Sequence, residues 1–523
     1  MYFKRFPLSI YGVSIFFFLA VFIAIASYGV SNPGLYYDEL HFVNAALGGH
    51  IGQFIYKRVY EIPVMVMSYM GALKAWFYYP IFKVFGVNVY SIRMPVILIG
   101  ALTLYINFKF IEIAFNRASA FVFLILCCVE PSTIFFTRLD WGPTTLMMFF
   151  RASFLLSLAL WMKTEKANYL LYAILIVALG LFDKLNFFWI ASSGALSLIF
   201  FYGASLKEVF LKNTRTYLII LAAAGSVFGC FIFYTKFNLK VGSEILWPDP
   251  SRLDYFYHLL HGVLNGSGVH SVIFLDQNFP YNFQFQWILF GLTSACLVFL
   301  FSGSRYIKTN RTNLGFIITF MLLIAIQLLI TRQATGPHHA ATLTPLWLMP
   351  ISVFLGGGFY AYINNHKKYL LLFSSALIVA GFFLSSILID SKYNYDLKHG
   401  VLKHRWSHAY KDLMPLLNNV GLRPVICVDW GIGSIIYGLS NGKLNLFDLW
   451  GSFLNEENIQ NDPLLIKLIG ENPIFLVPAS GAETFLGARD AFMHANKEWG
   501  LVKKHTIFDE NAKKWYEIYV KKD

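Results

Sequence analysis

Two carboxylic acids stand side by side shortly after the first apolar run of the chain. Residues 36–41 read YYDELH and contain Asp38 and Glu39. Ionisable side chains at the edge of a membrane are candidates for function, because charge is rarely kept there without a partner or a purpose. A carboxylate at this place could accept a proton from a hydroxyl nucleophile. The structural alternative is an acidic pair that begins an interfacial helix, since negative charge stabilises a helix N-terminus.

A second candidate is Asp140, in the sequence RLDWGP at residues 138–143. A purely structural role is open here as well, because an aspartate before Gly-Pro favours a turn and Arg138 could neutralise its charge. The functional interpretation gains support from position. Both Asp38 and Asp140 are expected just beyond a membrane span, on the same face of the membrane.

Basic side chains are expected at the same level. They are Lys57 and Arg58, Lys184, Arg332, His338 and His339. Such groups could bind a lipid phosphate or simply contact anionic headgroups. The adjacent histidines point different ways on a loop, which disfavours a shared metal ion, and the five cysteines show no ligand spacing. We expect no cofactor, with a divalent metal as the less favoured alternative.

Composition requires a membrane-embedded bundle to position these residues. Hydrophobic residues make up 57% of the 523 residues and charged residues only 14%, whereas soluble domains are about 25% charged. Apolar runs long enough to cross a bilayer predict a polytopic α-helical membrane protein of about eleven transmembrane helices. The predicted spans are 9–30, 90–111, 118–137, 142–162, 168–182, 185–203, 216–235, 285–302, 313–331, 342–362 and 369–389.

The distribution of positive charge orients the predicted spans. Six segments on one side carry 14 Lys and Arg residues, and the short turns on the other side hold only Arg138, Lys184 and Arg332. Positive loops stay in the cytoplasm, so we expect an inner-membrane protein with a cytoplasmic N-terminus and an extracytoplasmic C-terminus. The same rule explains most of the net charge of +13, and no nucleic-acid partner is expected.

The chain is therefore predicted to have two domains. Residues 1–390 form a membrane module with an outer loop at 31–89, partly helical and lying in the interface, and a second outer loop at 236–284. Residues 391–523 form an extracytoplasmic, soluble α/β domain, expected to pack on or above the outer loops.

In that domain, apolar runs predict strands and amphipathic patterns predict helices. The strands are 424–429, 443–447, 474–477, 502–508 and 515–520, the last two as a hairpin, and the helices are 432–439, 456–470 and 482–498. Asp429, Trp430 and Asp448 follow predicted strands. They could bind a ligand at the surface, although ordinary strand ends are the favoured explanation.

This arrangement resembles the GT-C superfamily of membrane glycosyltransferases, and within it the branch of protein O-mannosyltransferases and lipid A aminoarabinose transferases. The resemblance rests on residues 37–39 after the first span, on 138–140 after the third, and on an interfacial segment at 69–86. It implies an inverting glycosyltransferase that moves a monosaccharide from a polyprenyl phosphate to an envelope glycolipid, glycan or protein on the outer face.

The resemblance also implies roles for the candidate residues. Asp38 would take the acceptor's proton, Asp140 would orient the acceptor or Asp38, and Glu39 would assist. Tyr37 and Glu61 would contact substrate. Cations stabilise the departing phosphate. The implied phosphate-binding residues are Arg58, Lys184, Arg332, His338 and His339.

One departure concerns the donor phosphate. Members of this branch often carry Glu-Lys-Pro in the first outer loop, and the matching residues here are Glu61, Ile62 and Pro63. An isoleucine cannot bind phosphate. Either Arg58, Lys57 or Lys184 would take the place of the missing lysine, or the donor is held differently.

Two other classes of function stay open. A transporter or lipid flippase would also have many spans, but repeated halves and helices broken near mid-membrane are not evident in this sequence. An inactive scaffold whose outer domain binds a partner is the other class. Membrane lipids are expected as partners in every case.

Two geometric predictions follow from this topology. Asp38 and Asp140 should face one cavity at the outer membrane boundary, lined by at least one of the candidate cations. Glu130 and Arg151 lie on opposite sides of the turn at Asp140, at similar distances along the chain. In an antiparallel hairpin they should pair or share a polar partner, because a buried charge needs one.

Overall fold

The computed structural model of the chain describes residues 8–49, 54–238, 250–275, 305–331, 336–364, 369–418, 421 and 423–522. Its helices are α1 Leu8–Ser27, α2 Tyr37–Ala46, α3 Leu73–Phe85, α4 Val89–Ala114, α5 Arg117–Cys127, α6 Pro131–Leu139, α7 Thr144–Thr164, α8 Ala167–Asp183, α9 Phe187–Lys212, α10 Thr214–Asn238, α11 Pro250–Asn265, α12 Ser267–Ile273, α13 Arg305–Ile330, α14 Pro337–Ala340, α15 Leu348–Asn364, α16 Tyr369–His399, α17 Tyr410–Asn418, α18 Ile432–Leu439, α19 Glu456–Asn461, α20 Pro463–Ile469 and α21 Ala488–Trp499. Its strands are β1 Lys57–Val59, β2 Ile62–Met67, β3 Met70–Gly71, β4 Val425–Cys427, β5 Leu446–Asp448, β6 Ile474–Pro478, β7 Leu501–Phe508 and β8 Lys514–Lys521.

Packing divides the chain into two compact units, which we call the helical unit and the mixed unit. The helical unit contains Met1–Tyr28, Met94–Ser271 and Gln277–Asn394. The mixed unit contains Gly29–Arg93, Val272–Asp276 and Tyr395–Asp523.

Long apolar helices confirm the predicted polytopic membrane protein. Among the described residues, seven helices are long and apolar enough to cross a membrane, or eight if α5 and α6 count as one bent span. Helices α1 and α8 are apolar but shorter over their described parts. The predicted span 285–302 lies outside the described residues. The count of eleven therefore stays a prediction.

The predicted span 118–137 is broken in the structure. Helix α5 ends at Cys127, α6 begins at Pro131, and their axes differ by 63°. Proline has no N–H and fits the first position of a helix, and the Glu130 carboxylate caps α6 by accepting the Thr133 N–H at 2.6 Å. An acidic cap followed by proline signals a new helix start, and this signal could have located the break.

The break also explains why the prediction that Glu130 and Arg151 pair or share a partner is wrong. Both side chains are buried, but the Glu130 carboxylate is used by the first turn of α6. The Arg151 guanidinium donates instead to backbone carbonyls of Thr342 and Thr344, the latter at 2.6 Å. Backbone groups at helix breaks and turns lack helical partners, so they can satisfy each buried charge separately.

The C-terminal part of the mixed unit has the predicted α/β architecture. Its five strands lie in the order β5-β4-β6-β8-β7, with β4 parallel to β5 and β6, and β8 antiparallel to β6 and β7. Apolar side chains from β4, β6 and α21, among them Ile426, Phe475 and Phe492, form its core. The predicted strands, the hairpin and the helix 432–439 are confirmed within a few residues, whereas the predicted helix 456–470 is divided into α19 and α20 and the helix predicted from 482 begins at Ala488.

The first outer loop packs together with this C-terminal part in the mixed unit. The N–H of Gly34 donates to the Trp406 carbonyl at 2.9 Å, and the Tyr36 ring stacks on the Trp406 indole at 4.3 Å. A Cβ on Gly34 would lie 2.2 Å from the Ser407 carbonyl oxygen, so glycine permits this approach. Packing thus groups residues 31–89 with the tail, whereas the sequence analysis assigned them to the membrane module. The domain boundary after residue 390 stays a prediction.

The rest of this loop is only partly helical. The strands β1, β2 and β3 form a three-stranded antiparallel sheet, which was not predicted. Helix α3, Leu73–Phe85, covers most of the stretch predicted to be helical. The loop that carries α2 and its two carboxylates is therefore itself folded, with the sheet β1–β3 and helix α3.

Candidate active site

Helix α2 begins at the candidate carboxylates of the mixed unit. The backbone N–H of Tyr36 donates to Glu39 Oε1 at 3.0 Å, which satisfies a polar group just before the helix. Glu39 is 1% exposed, whereas the Asp38 side chain is 25% exposed. Adjacent in sequence, the two acids therefore occupy different environments.

Arg93 holds Glu39 in place. Its guanidinium donates to both Glu39 carboxylate oxygens at 2.7 Å, a bidentate pair. It also donates to the carbonyls of Val30 at 2.8 Å, Pro33 at 2.9 Å and Gly34 at 3.1 Å. One buried arginine thus ties the loop before α2 to the first turn of α2.

Arg93 is a residue that the sequence analysis missed. It lies inside the predicted span 90–111, where a single arginine among apolar residues needs a buried partner. The sequence could therefore have identified Arg93 as a buried charge, although it could not have identified Glu39 as its partner. The geometry gives Glu39 a positioning function, and its catalytic role stays a prediction.

Asp38 lies outside the set of contacts made by Arg93. His41 Nε2 lies 3.3 Å from Asp38 Oδ1, one helical turn further along α2. The Tyr37 ring packs edge-on against the His41 ring at 4.1 Å. A partly exposed carboxylate can accept a proton from a hydroxyl group within hydrogen-bond reach.

Tyrosine hydroxyls surround Asp38. Burial raises the pKa of Tyr37, and the Asp38 charge raises it further. Burial also raises the pKa of Tyr36 and of Tyr69, again with an added contribution from Asp38. These phenols stay protonated at neutral pH and can donate hydrogen bonds. The predicted substrate contact of Tyr37 stays a prediction.

The candidate Arg58 and Glu61 have structural contacts in the same unit. Arg58 donates to the carbonyls of Gly48 at 3.0 Å and Gly49 at 2.8 Å, and its Nη1 lies 3.5 Å from Glu61 Oε2. The Glu61 side chain is 95% exposed. Arg58 therefore shapes the loop after α2, and the predicted phosphate and substrate contacts of this pair stay predictions.

Lys74 is a buried cation that the sequence analysis did not single out. Its side chain is 2% exposed, and its ammonium lies 5.0 Å from the Phe42 ring centroid and 5.3 Å from that of Tyr78. Cation–π contact stabilises such a charge. The signal in the sequence was a lysine within the apolar stretch 69–85.

In the helical unit, Asp140 ends α6 in a left-handed conformation with φ 42° and ψ 60°. Its Oδ1 atom accepts the Thr145 N–H at 3.0 Å, at the start of α7. The neighbouring Arg138 is fully buried and donates to Asn394 Oδ1 at 3.0 Å. A left-handed backbone is uncommon for a residue other than glycine and often marks a site under functional constraint.

Lys184, His338 and His339 lie together beside this turn. The Trp141 ring, next to Asp140, is 5.3 Å from the His338 ring, which is 4.2 Å from the His339 ring. Lys184 is 8% exposed at the end of α8 and interacts electrostatically with both imidazoles. An ammonium and two imidazoles in one place can bind an anion by charge and by N–H donation.

Several sequence predictions are not tested by this geometry. Arg332 lies outside the described residues. Asp38 and Asp140 belong to different units, so their shared cavity stays a prediction. Within the described parts of the chain, no group of three or more His, Cys, Asp or Glu side chains could hold a metal ion. The expected absence of a cofactor likewise stays a prediction.

Comparison with known proteins gives one family match. The model of the family described as dolichyl-phosphate-mannose-protein mannosyltransferase matches residues 71–230, which run from β3 to α10. No curated protein sequence matches the chain.

Solved structures match over most of the chain. ArnT from Cupriavidus metallidurans bound to undecaprenyl phosphate has a TM-score of 0.57 at 10% identity, covering 97% of each chain. The archaeal oligosaccharyltransferase AglB from Archaeoglobus fulgidus, in complex with an inhibitory peptide and a dolichol-phosphate, has a TM-score of 0.51 at 10% identity. That match covers 91% of this chain and 70% of AglB. At such identities the likeness concerns the fold.

Proposed function

We propose, on the premise that this chain is a membrane glycosyltransferase of the GT-C superfamily, that it moves a monosaccharide from a polyprenyl phosphate to an acceptor of the cell envelope. The family match over residues 71–230 and the shared fold support the premise and a relationship to O-mannosyltransferases and ArnT. The acceptor in this proposal is a glycolipid, a glycan or a protein.

The observation that carries the proposal is the cluster of Lys184, His338 and His339 beside the Asp140 turn. A phosphodiester donor needs positive charge where its leaving phosphate develops negative charge. The undecaprenyl phosphate and dolichol-phosphate in the two solved relatives support a donor of this class. Lys184 in this cluster would also supply the ammonium group that is missing at Ile62.

The reaction follows from these assignments. The acceptor hydroxyl attacks the anomeric carbon from the side opposite the phosphate, and its proton passes to Asp38. The bond between the anomeric carbon and the phosphate oxygen breaks, and the electron pair leaves with the polyprenyl phosphate. The products are the glycoside with inverted configuration and a polyprenyl phosphate held by the cations. No general acid is required, because phosphate is a good leaving group once its charge is stabilised.

We place this reaction at the outer face of an inner membrane. The support is the charge distribution of the loops, which predicts a cytoplasmic N-terminus. The polyprenyl tail would remain in the hydrocarbon while its phosphate lies at headgroup level.

Replacing Lys184 with methionine tests the donor assignment. We expect the wild type to co-purify with a polyprenyl phosphate or its glycoside, and Lys184→Met to lose it about tenfold or more, because a charge-assisted contact to phosphate is removed. Mass spectrometry of lipids extracted per mole of purified protein gives the measurement.

The matched control is Lys163→Met, which removes an exposed lysine at the end of α7. It should retain the lipid. Equal lipid content in Lys184→Met and wild type would contradict the assignment, as would a wild type that carries no polyprenyl lipid.

A further inference from the structure

A pocket opens at the carboxyl edge of the C-terminal sheet, within the mixed unit. The chain runs from β4 outward to β5, then returns across β4 to β6 on its other side. In open α/β sheets, such a reversal leaves a crevice at the carboxyl ends of the two parallel strands, and ligands bind there. The loop after β4 supplies Trp430 and Gly431 to the pocket, and the loop after β6 supplies Ala482 and Thr484.

The start of α2 forms another wall of this pocket. Tyr36 and Tyr37 line it, directly before Asp38, together with Arg405 from the chain after α16. Trp515 and Tyr516 from the start of β8 complete the aromatic lining. The pocket therefore joins the sheet edge to the residues that precede the proposed base.

Half-buried aromatic rings continue from the pocket along the sheet edge. The Tyr37 and Trp430 rings are tilted by 44° with centroids 3.8 Å apart, and Trp430 meets Phe485 edge-on at 6.4 Å. The Phe485 and Trp450 rings stack at 4.7 Å. All four side chains are partly exposed. We call Tyr37, Trp430, Phe485 and Trp450 the aromatic platform.

Polar groups accompany the platform. The Asp429 carboxylate accepts the N–H groups of Thr484, at 2.6 Å, and Phe485, at 3.1 Å, which fixes the loop after β6. Burial raises the pKa of Asp448 to about 8, with a further contribution from Asp429. Arg405 adds an exposed donor at the pocket, and the exposed Thr484 hydroxyl, which donates to the Trp430 carbonyl at 3.4 Å, adds an acceptor.

The size of the pocket limits what it takes inside. Its interior is about 40 Å³, room for about three water molecules at ~10–15 Å³ each. A whole large ligand does not fit, but one edge or substituent of a ring does. The rest of such a ring would lie on the aromatic platform outside.

We infer that this pocket and the aromatic platform bind a neutral sugar ring of the acceptor. The inference deepens the proposed function, on which it rests, and assigns the acceptor to the glycans and glycolipids. A pyranose ring has an apolar C–H face that packs on aromatic rings and a hydroxyl rim that takes hydrogen bonds. The aromatic platform can contact the C–H face, and the polar groups around the pocket can hydrogen-bond with the hydroxyl groups.

Other ligands fit this site less well. A lipid tail would offer no hydrogen-bond acceptor to the Arg405 guanidinium that lines the pocket, and covering a charged group without a partner is costly. An anionic group would lie near the Asp429 carboxylate, which directly precedes the lining residue Trp430. A peptide acceptor would use its backbone groups, yet the two backbone N–H groups of residues 484 and 485 are already engaged by Asp429.

The test measures sugar binding by the full-length protein in detergent, without any donor. The probes are methyl mannoside, methyl galactoside and N-acetylglucosamine, observed by saturation-transfer NMR. At least one probe should receive saturation from aromatic protons of the wild type. Trp430→Ala should weaken its binding about tenfold or more, because an aromatic anchor at the centre of a site contributes a large share of affinity.

Two matched variants keep the test specific. Trp430→Phe retains an aromatic face and should retain most of the binding. Trp76→Ala removes an exposed indole from α3, outside the pocket, and should bind like the wild type. Any of three results would overturn the inference. They are saturation of no probe, undiminished binding by Trp430→Ala, and displacement of the sugars by a Ser/Thr-containing peptide.

The two proposals can fail separately. Sugar binding that is sensitive to Trp430, in a protein that transfers no sugar, would overturn the proposed function and leave a sugar-binding site. Sugar transfer that is unaffected by Trp430→Ala, with no probe bound, would uphold the proposed function and overturn the acceptor site.

Discussion

Asp38→Asn is expected to abolish sugar transfer while leaving the mixed unit folded. A positioned general base contributes about 10²–10⁴-fold to rate, and an asparagine cannot accept the proton. The fold should tolerate the change, because Glu39, not Asp38, is the carboxylate that Arg93 holds. The loss of one negative charge from the first turn of α2 costs only about 0.3–1 kcal/mol.

Transfer assays at saturating donor give the measurement, with thermal unfolding and co-purified lipid as checks on fold and donor binding. The control is Asp490→Asn, which removes an exposed carboxylate from the first turn of α21. That variant should transfer sugar normally. Transfer by Asp38→Asn within about threefold of wild type would exclude Asp38 as the base, since such a base contributes at least about 10²-fold.

Arg93→Met is expected to destabilise the mixed unit by about 3–5 kcal/mol, because it leaves the buried Glu39 charge without its partner. The three loop carbonyls that Arg93 binds would lose their donors as well. Sugar transfer should fall with stability, since the start of α2 would no longer be held.

Thermal or urea unfolding of the purified protein measures this effect. Arg117→Met is the control, because the Arg117 side chain is 46% exposed and Glu112 keeps its pair with Lys109 when Arg117 is removed. We expect this change to cost only about 0–1 kcal/mol. The double variant Arg93→Met/Glu39→Leu should be more stable than the sum of the single changes, as expected for directly coupled residues. Equal stability of Arg93→Met and Arg117→Met would contradict this account.

Local patterns made much of the fold predictable. The strands of the tail are short apolar runs bounded by polar residues, and nearly all the predicted spans within the described residues appear as helices. The broken span after Cys127 escaped because apolarity was averaged across the break, although Glu130-Pro131 marks a helix start. The small sheet of the outer loop escaped because its strands are short and its turns carry no Asn-Gly signal.

The site was only partly predictable for a different reason. Sequence cannot separate the functions of adjacent carboxylates, because the difference between Asp38 and Glu39 comes from Arg93, which lies far along the chain. The neighbourhood of Lys184 and His338 likewise depends on tertiary packing. The sequence indicated candidate residue types, which stay a prediction, and packing determines which of them are neighbours.

The most direct test of the proposed function follows the donor in a detergent solution, where no bilayer separates two compartments and transport is not possible. Purified protein is given a polyprenyl-phosphate-sugar fraction with radiolabelled sugar and an envelope glycoconjugate fraction from the producing cells. Our account predicts that label passes to an acceptor, that polyprenyl phosphate is released in equal amount, and that Asp38→Asn does neither. Donor that stays intact with the wild type under these conditions would contradict the account, and movement of the intact donor across proteoliposomes would then favour a flippase.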